Sequence, residues 1–210
     1  MLLLHLILVG GLIWSGAIDP VAPQKGRRDA EEYIKVLETE RRIESLQVDR
    51  VIGSLSLKPG MKVADLGSGS GLFTRPLAKK VGSGGRVYAV DIDPKLLAHV
   101  AKTSAAAGLD NVTTVLGEFA DPKVPAPVDL ITIIDTLHHI ERAPDYVKNL
   151  RKYLRKNGRV AIIDFNKNWP AGHESMAYQL SDLDQWMSEA GFRRADQFEF
   201  LEGNFFVIYK

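Results

Sequence analysis

Hydrophobic residues follow two different spacings along this chain. From residue 29 to about residue 55 they recur at the intervals of one helix face, with charged residues between them. From residue 62 onwards, short apolar runs of strand length alternate with longer amphipathic segments. The short runs predict strands at 62–66, 86–90, 112–116, 128–134 and 159–164, and the longer segments predict helices at 72–81, 94–107, 143–154 and 183–190.

Repeated strand–helix units predict a parallel sheet that is covered by helices on both faces. The end of the chain departs from this repeat. Two alternating segments, 194–201 and 204–209, are separated by Glu202-Gly203 and predict a hairpin, which would place an antiparallel strand in the sheet. Residues 29–210 thus form one domain in this interpretation, large enough to bury a stable core.

Two segments precede this domain. Residues 19–28, DPVAPQKGRR, are rich in proline and charge and predict a linker. Residues 1–18 carry no formal charge, and their apolar run is close to the roughly 17–25 residues that a membrane-spanning helix needs.

Three interpretations of residues 1–18 stay open. In the first they form an uncleaved membrane anchor, and the positive charges that follow them keep the domain in the cytoplasm. In the second they form a signal peptide, with Ser15 and Ala17 placed like the small residues of a cleavage site, and the mature domain is exported. In the third they form an apolar helix that packs on the domain, or the start codon is misassigned.

Composition narrows the choice of partners. Charged residues make up 25% of the chain, and the formal net charge is +1. Since binding to nucleic acid needs an excess or a cluster of basic residues, we predict no nucleic-acid partner. The chain contains no cysteine, which excludes disulfides, thiolate metal sites and cysteine nucleophiles.

The run VADLGSGSG, which ends at Gly71, carries the strongest chemical signal. It closes a predicted strand and opens a helix, where glycines let the backbone turn sharply and let a ligand approach closely. The dinucleotide fingerprint is G-x-G-x-x-G, but here the glycines are Gly67, Gly69 and Gly71, and Leu72 takes the place of the third fingerprint glycine. The acidic Asp65 before the loop suits a ligand with a positive amine better than a pyrophosphate.

A second signal, VYAVDIDP, places Asp91 at the end of the next predicted strand. A carboxylate at this position can accept hydrogen bonds from both hydroxyls of a ribose. Asp93 is better placed than Asp91 to cap the following helix. The glycine loop and Asp91, in this order and at this spacing, indicate a nucleoside-binding site.

These two motifs, together with LGEFADP, VDLITIIDTLHHI and LRKNGRVAIIDF, resemble class I S-adenosylmethionine-dependent methyltransferases, especially the ubiquinone/menaquinone-biosynthesis and methyltransferase 11-like group. The resemblance extends over residues 61–210. It implies a Rossmann-like doubly wound seven-stranded sheet in the order 3-2-1-4-5-7-6, with an antiparallel C-terminal strand. It also implies S-adenosylmethionine as cofactor and direct methyl transfer to a small-molecule acceptor. Because this donor is made in the cytosol, the resemblance favours the anchored interpretation of residues 1–18 over export.

The resemblance also assigns contacts with the cofactor. The glycine loop would face its methionine part, Asp91 would hold the ribose, and Ile92 would pack on the adenine. Glu118 and the backbone N–H of Phe119 would read the adenine edge, where the family more often has aspartate than glutamate. The predicted cofactor-binding residues are Asp65, Gly67, Ser68, Gly69, Gly71, Asp91, Ile92, Glu118 and Phe119.

The run IDTLHHIE follows the fourth predicted strand and supplies candidate catalytic residues, Asp135, His138 and His139. Ligands of open parallel sheets bind at the C-terminal ends of the strands, which places these side chains near the methyl group. Imidazole titrates near neutrality, so either histidine could remove a proton from the acceptor. In the alternative interpretation, one histidine orders the loop and the other packs or caps a helix.

The same strand ends also carry residues that could bind a metal. Asp135, Asp164 and Asn166 resemble the oxygen ligands by which catechol-type methyltransferases hold magnesium. The surrounding sequence is more similar to the metal-free group, and we therefore predict no metal.

The acceptor pocket is predicted from two further segments. Trp169, Pro170 and His173 follow the fifth strand and would border the pocket or form a surface loop. The helical segment 29–55 would form a lid, with Tyr33 and Gln47 as the residues that face the pocket.

Other functions stay open as alternatives. A nucleotide-dependent oxidoreductase is disfavoured by the glycine spacing, and a protein or RNA methyltransferase by the lack of a basic patch. A non-catalytic cofactor-binding module is the third alternative. The sequence predicts neither the acceptor atom nor the oligomeric state.

Overall fold

The computed structural model describes residues 29–167 and 169–210. The predicted anchor or signal segment, 1–18, and the linker, 19–28, lie outside the described residues and stay predictions. No helix within the two described stretches is long and apolar enough to cross a membrane.

The described chain alternates helices and strands. The helices are α1 (Ala30–Leu37), α2 (Glu40–Leu46), α3 (Val48–Ser54), α4 (Thr74–Val81), α5 (Pro94–Ala106), α6 (Ala143–Asn149) and α7 (Leu180–Glu189). The strands are β1 (Lys62–Leu66), β2 (Arg86–Asp91), β3 (Val112–Leu116), β4 (Val128–Ile134), β5 (Leu154–Phe165), β6 (Arg194–Phe198) and β7 (Asn204–Tyr209). Short 3₁₀ turns occupy Leu137–His139, Leu150–Tyr153 and Glu174–Met176.

The seven strands form one sheet in the order β3-β2-β1-β4-β5-β7-β6. The first five strands pair in parallel, and β7 runs antiparallel to both β5 and β6. This confirms the predicted Rossmann-like class, the strand order and the antiparallel C-terminal strand. The chain moves outward from β1 to β3 and then returns to β4 on the other side of β1. Such a reversal opens a crevice at the C-terminal ends of the two central strands.

The core lies on both faces of the sheet, as the apolar runs predict. In β4, Ile131 and Ile133 are fully buried in the cluster that includes residues of α6 and α7. Leu130 and Ile134 belong to the cluster on the other face, with residues of α3 and α4. Consecutive residues of a strand point to opposite faces, so both faces bury apolar side chains here.

The helix predicted at 143–154 is shorter than expected. It ends at Asn149, a 3₁₀ turn follows, and β5 already begins at Leu154, which pairs with Val128. Asn157, with φ +66°, and Gly158 interrupt β5 as an irregularity instead of ending a helix. Pairing with β4 resumes at Arg159.

Two other helices begin at different residues from those predicted. Helix α7 begins at Leu180, three residues earlier, because the Gln179 backbone N–H donates to the Asp182 carboxylate at 2.7 Å and fixes the first turn. Helix α4 begins at Thr74, since the glycine loop extends further than expected. Pro76 lies in the first turn of α4, where the missing N–H of proline is tolerated.

Candidate active site

A cavity of about 670 Å³ lies at the C-terminal ends of the central strands. Its volume is within the range of roughly 300–1,000 Å³ that ligand sites occupy. The predicted site residues that line it are Asp65, Gly67, Ser68, Gly69, Asp91, Ile92, Glu118, Phe119, Asp135 and His139. Gly71 and His138 are predicted site residues that do not line it.

The glycine loop at the end of β1 requires glycine at two positions for steric reasons. Gly67 has φ +71°, and a Cβ there would lie 2.3 Å from the Thr136 side chain. Gly69 has φ +53°, and a Cβ there would lie 2.8 Å from the Leu37 side chain of α1. Gly71 packs instead against α5, where a Cβ would lie 3.1 Å from Val100. Gly67 and Gly69 therefore line the cavity with their backbone, whereas Gly71 packs the loop against α5.

Asp91, at the end of β2, is held in place by backbone donors. Its Oδ2 accepts from the N–H of Gly69 at 2.9 Å, and its Oδ1 accepts from the N–H of Asp93 at 3.0 Å. Burial raises the pKa of Asp91, and these backbone hydrogen bonds oppose the rise. Asp93 accepts from the Lys95 N–H at 2.9 Å and caps α5, as predicted. The Asp91 carboxylate thus has a fixed orientation at the cavity wall.

Asp65 lies at the base of the glycine loop and is only 2% exposed. Its carboxylate accepts from the hydroxyls of Thr74 at 2.6 Å and Thr132 at 2.9 Å. Burial raises the pKa of Asp65, and the two hydroxyl donors oppose the rise. The hydroxyls of Ser68 and Ser70 also face this region and are buried without a hydrogen-bond partner among the described residues. Such unpaired hydroxyls fit a ligand with polar groups at this end of the cavity.

The rim near β3 is apolar and open. Phe119 is 64% exposed and Ile92 is 38% exposed, and both line the cavity. Glu118 lies beside them, where its carboxylate is 3.3 Å from Lys123 Nζ. The backbone of Glu118 exchanges hydrogen bonds with that of Asp121, which closes the turn. Exposed apolar side chains at the mouth of a cavity are typical of a ligand-binding site.

Asp135 marks the opposite end of the cavity, after β4. Its backbone has φ +46°, and its carboxylate accepts from Arg42 of α2 at 2.6 Å and from the Asn204 amide at 3.1 Å. Burial raises the pKa of Asp135, while the ion pair with Arg42 opposes that rise. Asp135 is thus engaged by protein donors on both carboxylate oxygens.

Asp164 of β5 is completely buried and equally engaged. It accepts from His138 Nδ1 at 2.7 Å, from the Tyr178 hydroxyl at 3.0 Å and from the Phe165 N–H at 3.0 Å. The magnesium-type set that was weighed on the sequence would need the oxygens of both Asp135 and Asp164, which the described residues already use.

The two candidate histidines have different surroundings. His138 is buried against Asp164 and does not line the cavity. His139 lines the cavity, and burial together with the nearby His138 and His173 rings lowers its pKa to about 4. His139 is therefore neutral at neutral pH and faces the space where an acceptor would bind.

His173 lies beside these two histidines, although the sequence predicts it only in a separate loop. Its ring centroid lies 5.2 Å from that of His138 and 5.0 Å from that of His139. The signal was present in the topology: the loops that follow β4 and β5 leave adjacent parallel strands at the same edge of the sheet. No pattern in the residues between these loops indicates that His173 contacts His138 and His139, and the cluster itself was therefore not predicted.

The N-terminal helices lie over the glycine loop. Tyr33, Leu37 and Arg42 line the cavity. Gln47 does not line it; it joins α2 to α3 with φ +43°, and its amide donates to the Phe200 carbonyl at 2.7 Å. The expectation that Gln47 faces the pocket was wrong, because its side chain ties α2 and α3 to the loop before β7.

The sheet order, the glycine loop after β1 and the aspartate after β2 define a nucleoside-binding domain of the Rossmann-like class. Residues 57–198 match the family model described as a methyltransferase domain. The chain therefore belongs to the methyltransferase domain family, within the class I S-adenosylmethionine-dependent methyltransferases.

Individual relatives support this assignment. A nocamycin O-methyltransferase from Saccharothrix syringae is 31% identical over 54% of this chain and 41% of its own length. A ubiquinone/menaquinone biosynthesis C-methyltransferase from Burkholderia vietnamiensis is 25% identical over 71% of this chain and 62% of its own length. The chain thus spans less than two thirds of these curated relatives. A crystal structure of an S-adenosylmethionine-dependent methyltransferase from Aquifex aeolicus is 27% identical, covers 87% of this chain and 98% of its own, and has a TM-score of 0.77.

Proposed function

We propose that this chain transfers a methyl group directly from S-adenosylmethionine to a small-molecule acceptor. The observation that carries the proposal is the fixed Asp91 carboxylate, which lines the cavity directly beside the glycine loop. A carboxylate so placed can accept both ribose hydroxyls, and the close backbone of Gly67 and Gly69 leaves room for the methionine part.

The remaining predicted cofactor residues fit the same orientation. Ile92 and Phe119 form the exposed apolar rim on which the adenine would pack, with Glu118 beside its edge. Asp65 and the unpaired hydroxyl of Ser68 lie on the side of the methionine group, whose ammonium and carboxylate need polar partners. The donor would therefore lie across the loop with its methyl group directed toward Asp135 and His139.

The acceptor is proposed to bind between the end of β4 and the loop after β5. His139 and His173 both line this side of the cavity, and Arg42 closes it from α2. His139, rather than the buried His138, is the histidine that can contact an acceptor there. In a metal-free site its neutral imidazole would accept the proton of an acceptor hydroxyl or amine as the methyl group is transferred.

Direct transfer needs no covalent intermediate with the protein. The sulfonium of the cofactor is already an activated methyl donor, so the chain has mainly to align the two substrates and exclude water. Helices α1 and α2 would act as the lid, since Tyr33 and Leu37 cover the cavity above the glycine loop. A covered cavity favours a small acceptor over a macromolecule, and the names of the two curated relatives agree with acceptors of that kind.

The cofactor is tested first. We expect purified full-length protein to bind S-adenosylmethionine and S-adenosylhomocysteine at one site per chain by calorimetry. Folded protein that gives no heat with either ligand, or that retains NAD(P) through purification, would overturn the proposal.

The acceptor class is tested separately. Labelled cofactor is incubated with the protein and fractionated cell extract, and the products are separated by mass. We expect the label in the low-molecular-mass fraction, where mass spectrometry identifies the product. Label that precipitates with protein or RNA would replace the small-molecule acceptor by a macromolecular one, and cofactor binding without turnover on any fraction would favour a non-catalytic module.

A further inference from the structure

We propose that His138, His139 and His173 bind one divalent transition-metal ion, of the zinc type, at the acceptor end of the cavity. Each side chain offers one ring nitrogen, and these three atoms lie within 4.8 Å of one another. Two of the histidines come from the turn after β4 and one from the loop after β5. From the sequence alone only oxygen ligands are candidates at these strand ends, and no metal is predicted.

His138 carries the strongest evidence. Its side chain is 1% exposed, and its Nδ1 lies 2.7 Å from Asp164 Oδ1. Because the carboxylate accepts, Nδ1 carries the proton and Nε2 keeps its lone pair. That Nε2 atom is buried and has no hydrogen-bond partner among residues 29–167 and 169–210. A carboxylate that fixes the tautomer of a histidine, whose other nitrogen is left available, is the arrangement found around histidine metal ligands.

The three rings also face one another. The ring centroids of His138 and His139 are 4.0 Å apart, and each lies 5.0–5.2 Å from His173. Trp169 and Phe165 contact the His138 ring edge to face and hold it in place. A tetrahedral zinc ion with bonds of about 2.0–2.1 Å keeps its nitrogen ligands about 3.4 Å apart. Since the three nitrogens lie within 4.8 Å of one another, the most distant pair would have to approach by up to about 1.4 Å.

The chemistry of the ligands selects the class of ion. Imidazole nitrogens suit zinc, copper, iron and nickel, whereas magnesium and calcium prefer oxygen. Asp164 serves as the partner of His138 rather than as a ligand, since its oxygens already accept four hydrogen bonds from side chains and backbone. Three protein ligands with a fourth position open are typical of catalytic rather than structural zinc sites.

The fourth position would open into the cavity, which His139 and His173 both line. This inference rests on the proposed function. If it holds, the acceptor is a molecule with an oxygen, nitrogen or sulfur atom that can coordinate the metal. Metal binding would also replace the proposed role of His139 as proton acceptor, because a coordinated nitrogen has no lone pair left.

The test measures metal uptake directly. Full-length protein without an affinity tag is stripped with a chelator and titrated with Zn²⁺ by calorimetry, with metal content checked by elemental analysis. We expect one ion per chain, and replacement by Co²⁺ should give the visible absorption of a tetrahedral site. Asp164→Asn should weaken Zn²⁺ binding by roughly 10–100-fold, the usual effect of removing the partner of a metal-ligating histidine.

Variants identify the ligands. His139→Ala and His173→Ala should each lose the bound ion while circular dichroism and thermal unfolding show an intact fold, since neither ring is fully buried. His173→Cys should retain binding through its sulfur, and His99→Ala, which changes a histidine of α5 outside the cluster, should leave it unchanged. No stoichiometric uptake, or uptake that persists in both alanine variants, would overturn the proposal.

Failure of this inference and failure of the proposed function are separable. Zn²⁺ uptake without S-adenosylmethionine binding would leave the metal site standing and remove the methyltransferase assignment. Cofactor binding without Zn²⁺ uptake would do the reverse and return His139 to the role of proton acceptor.

Discussion

At the scale of single residues, Asp91 is the motif residue whose carboxylate lines the cavity. Its carboxylate is oriented by the backbone N–H groups of Gly69 and Asp93, so no reorganisation is needed before a ribose binds. Hydrogen bonds to a charged group contribute roughly 1.5–3 kcal/mol each. We therefore expect Asp91→Ala to weaken S-adenosylmethionine binding in calorimetry by at least about tenfold, the value of one such bond, and by more than about a hundredfold if both ribose hydrogen bonds contribute fully, at 1.4 kcal/mol per decade.

Two controls support the Asp91 measurement. Asp91→Asn keeps the shape of the side chain but not its charge, and it should fall between the wild type and Asp91→Ala. Asp196→Ala, which removes an exposed carboxylate on β6, should bind the cofactor normally. Unchanged affinity in Asp91→Ala would mean that the ribose is held elsewhere and that the cofactor orientation is wrong.

Gly67 is required for two reasons that can be separated. An alanine there would occupy the left-handed region, at a cost of roughly 1–2 kcal/mol, and its Cβ would collide with Thr136. Gly108, which follows α5, has nearly the same φ of +68°, but a Cβ there would meet nothing within 4 Å. We expect Gly108→Ala to lower the free energy of unfolding by the backbone cost alone, and Gly67→Ala to lower it by about 1–3 kcal/mol more, the usual cost of overpacking.

Thermal and denaturant unfolding measure this difference, and calorimetry measures cofactor affinity, which Gly108→Ala should leave intact. Thr136→Ala introduced together with Gly67→Ala should recover part of the loss, because it removes the two atoms that lie nearest to the new Cβ. Equal stability of the Gly67→Ala and Gly108→Ala variants would show that the loop relaxes away from Thr136.

The sequence predicted single residues well where one local pattern fixes their place. Asp91 and Gly67 follow strand ends whose apolar runs are unmistakable, and the structure places both at the cavity. His138 and His139 are adjacent in sequence, and no pattern indicates that one ring is buried against Asp164 while the other faces the cavity. His173 meets them through a loop that has no periodicity, so only the folded chain shows the cluster.

At the scale of elements, one ion pair connects the N-terminal helices to the sheet. Arg42 of α2 reaches Asp135 after β4 at 2.6 Å, and the two side chains are 24% and 6% exposed. Arg42→Ala would leave Asp135 buried without its counterion. The expected loss in the free energy of unfolding lies between about 1 kcal/mol, as for exposed pairs, and about 3 kcal/mol, as for buried ones.

The ion pair also tests whether α1 and α2 act as a lid. Arg42→Ala should weaken cofactor retention as well as lower the unfolding temperature, because α1 covers the glycine loop through Leu37. Arg41→Ala, a change at the exposed neighbouring arginine, should do neither. Asp135→Asn, added to Arg42→Ala, removes the unpaired charge of Asp135. If this double variant regains stability but not cofactor retention, Arg42 positions α1 and α2 in addition to neutralising Asp135.

The bounds of helices and strands were predicted correctly where the hydrophobic periodicity of the segment itself is strong. Strands β1, β3 and β4 begin and end where their apolar runs do. The region 150–158 was predicted wrongly, with residues 150–154 as the end of a helix. Leu154 instead pairs with Val128 before the Asn157-Gly158 irregularity, and this pairing depends on a partner strand more than twenty residues away. Helix α7 was predicted too short, since its first turn is set by the Gln179–Asp182 hydrogen bond rather than by hydrophobic spacing.

At the scale of the whole molecule, the doubly wound topology explains why the site residues are scattered in sequence and adjacent in space. The strands β1, β2, β4 and β5 all end at one edge, so Asp65, Asp91, Asp135 and Asp164 lie along that edge. The loops then differ in what they add: the first two shape the nucleoside end, and the last two bring three histidines to the acceptor end. The donor and acceptor ends of the cavity are thus built by separate pairs of strand ends.

The last prediction concerns residues 1–18, which precede everything the structure describes. If they anchor the chain, full-length protein expressed in cells should sediment with membranes through a high-salt wash, should retain residues 1–18 by mass spectrometry, and should resist protease added outside intact cells. Leu8→Arg places a charge near the middle of the apolar run, where arginine costs roughly 3–4 kcal/mol more to insert than leucine, and should move a large fraction of the protein to the supernatant. Val21→Arg, a matched change in the predicted linker, should leave it in the membrane fraction. A mature chain that starts at Ile18 would establish a cleaved signal peptide instead, and a wild-type chain found in the supernatant with residues 1–18 intact would favour an apolar helix packed on the domain.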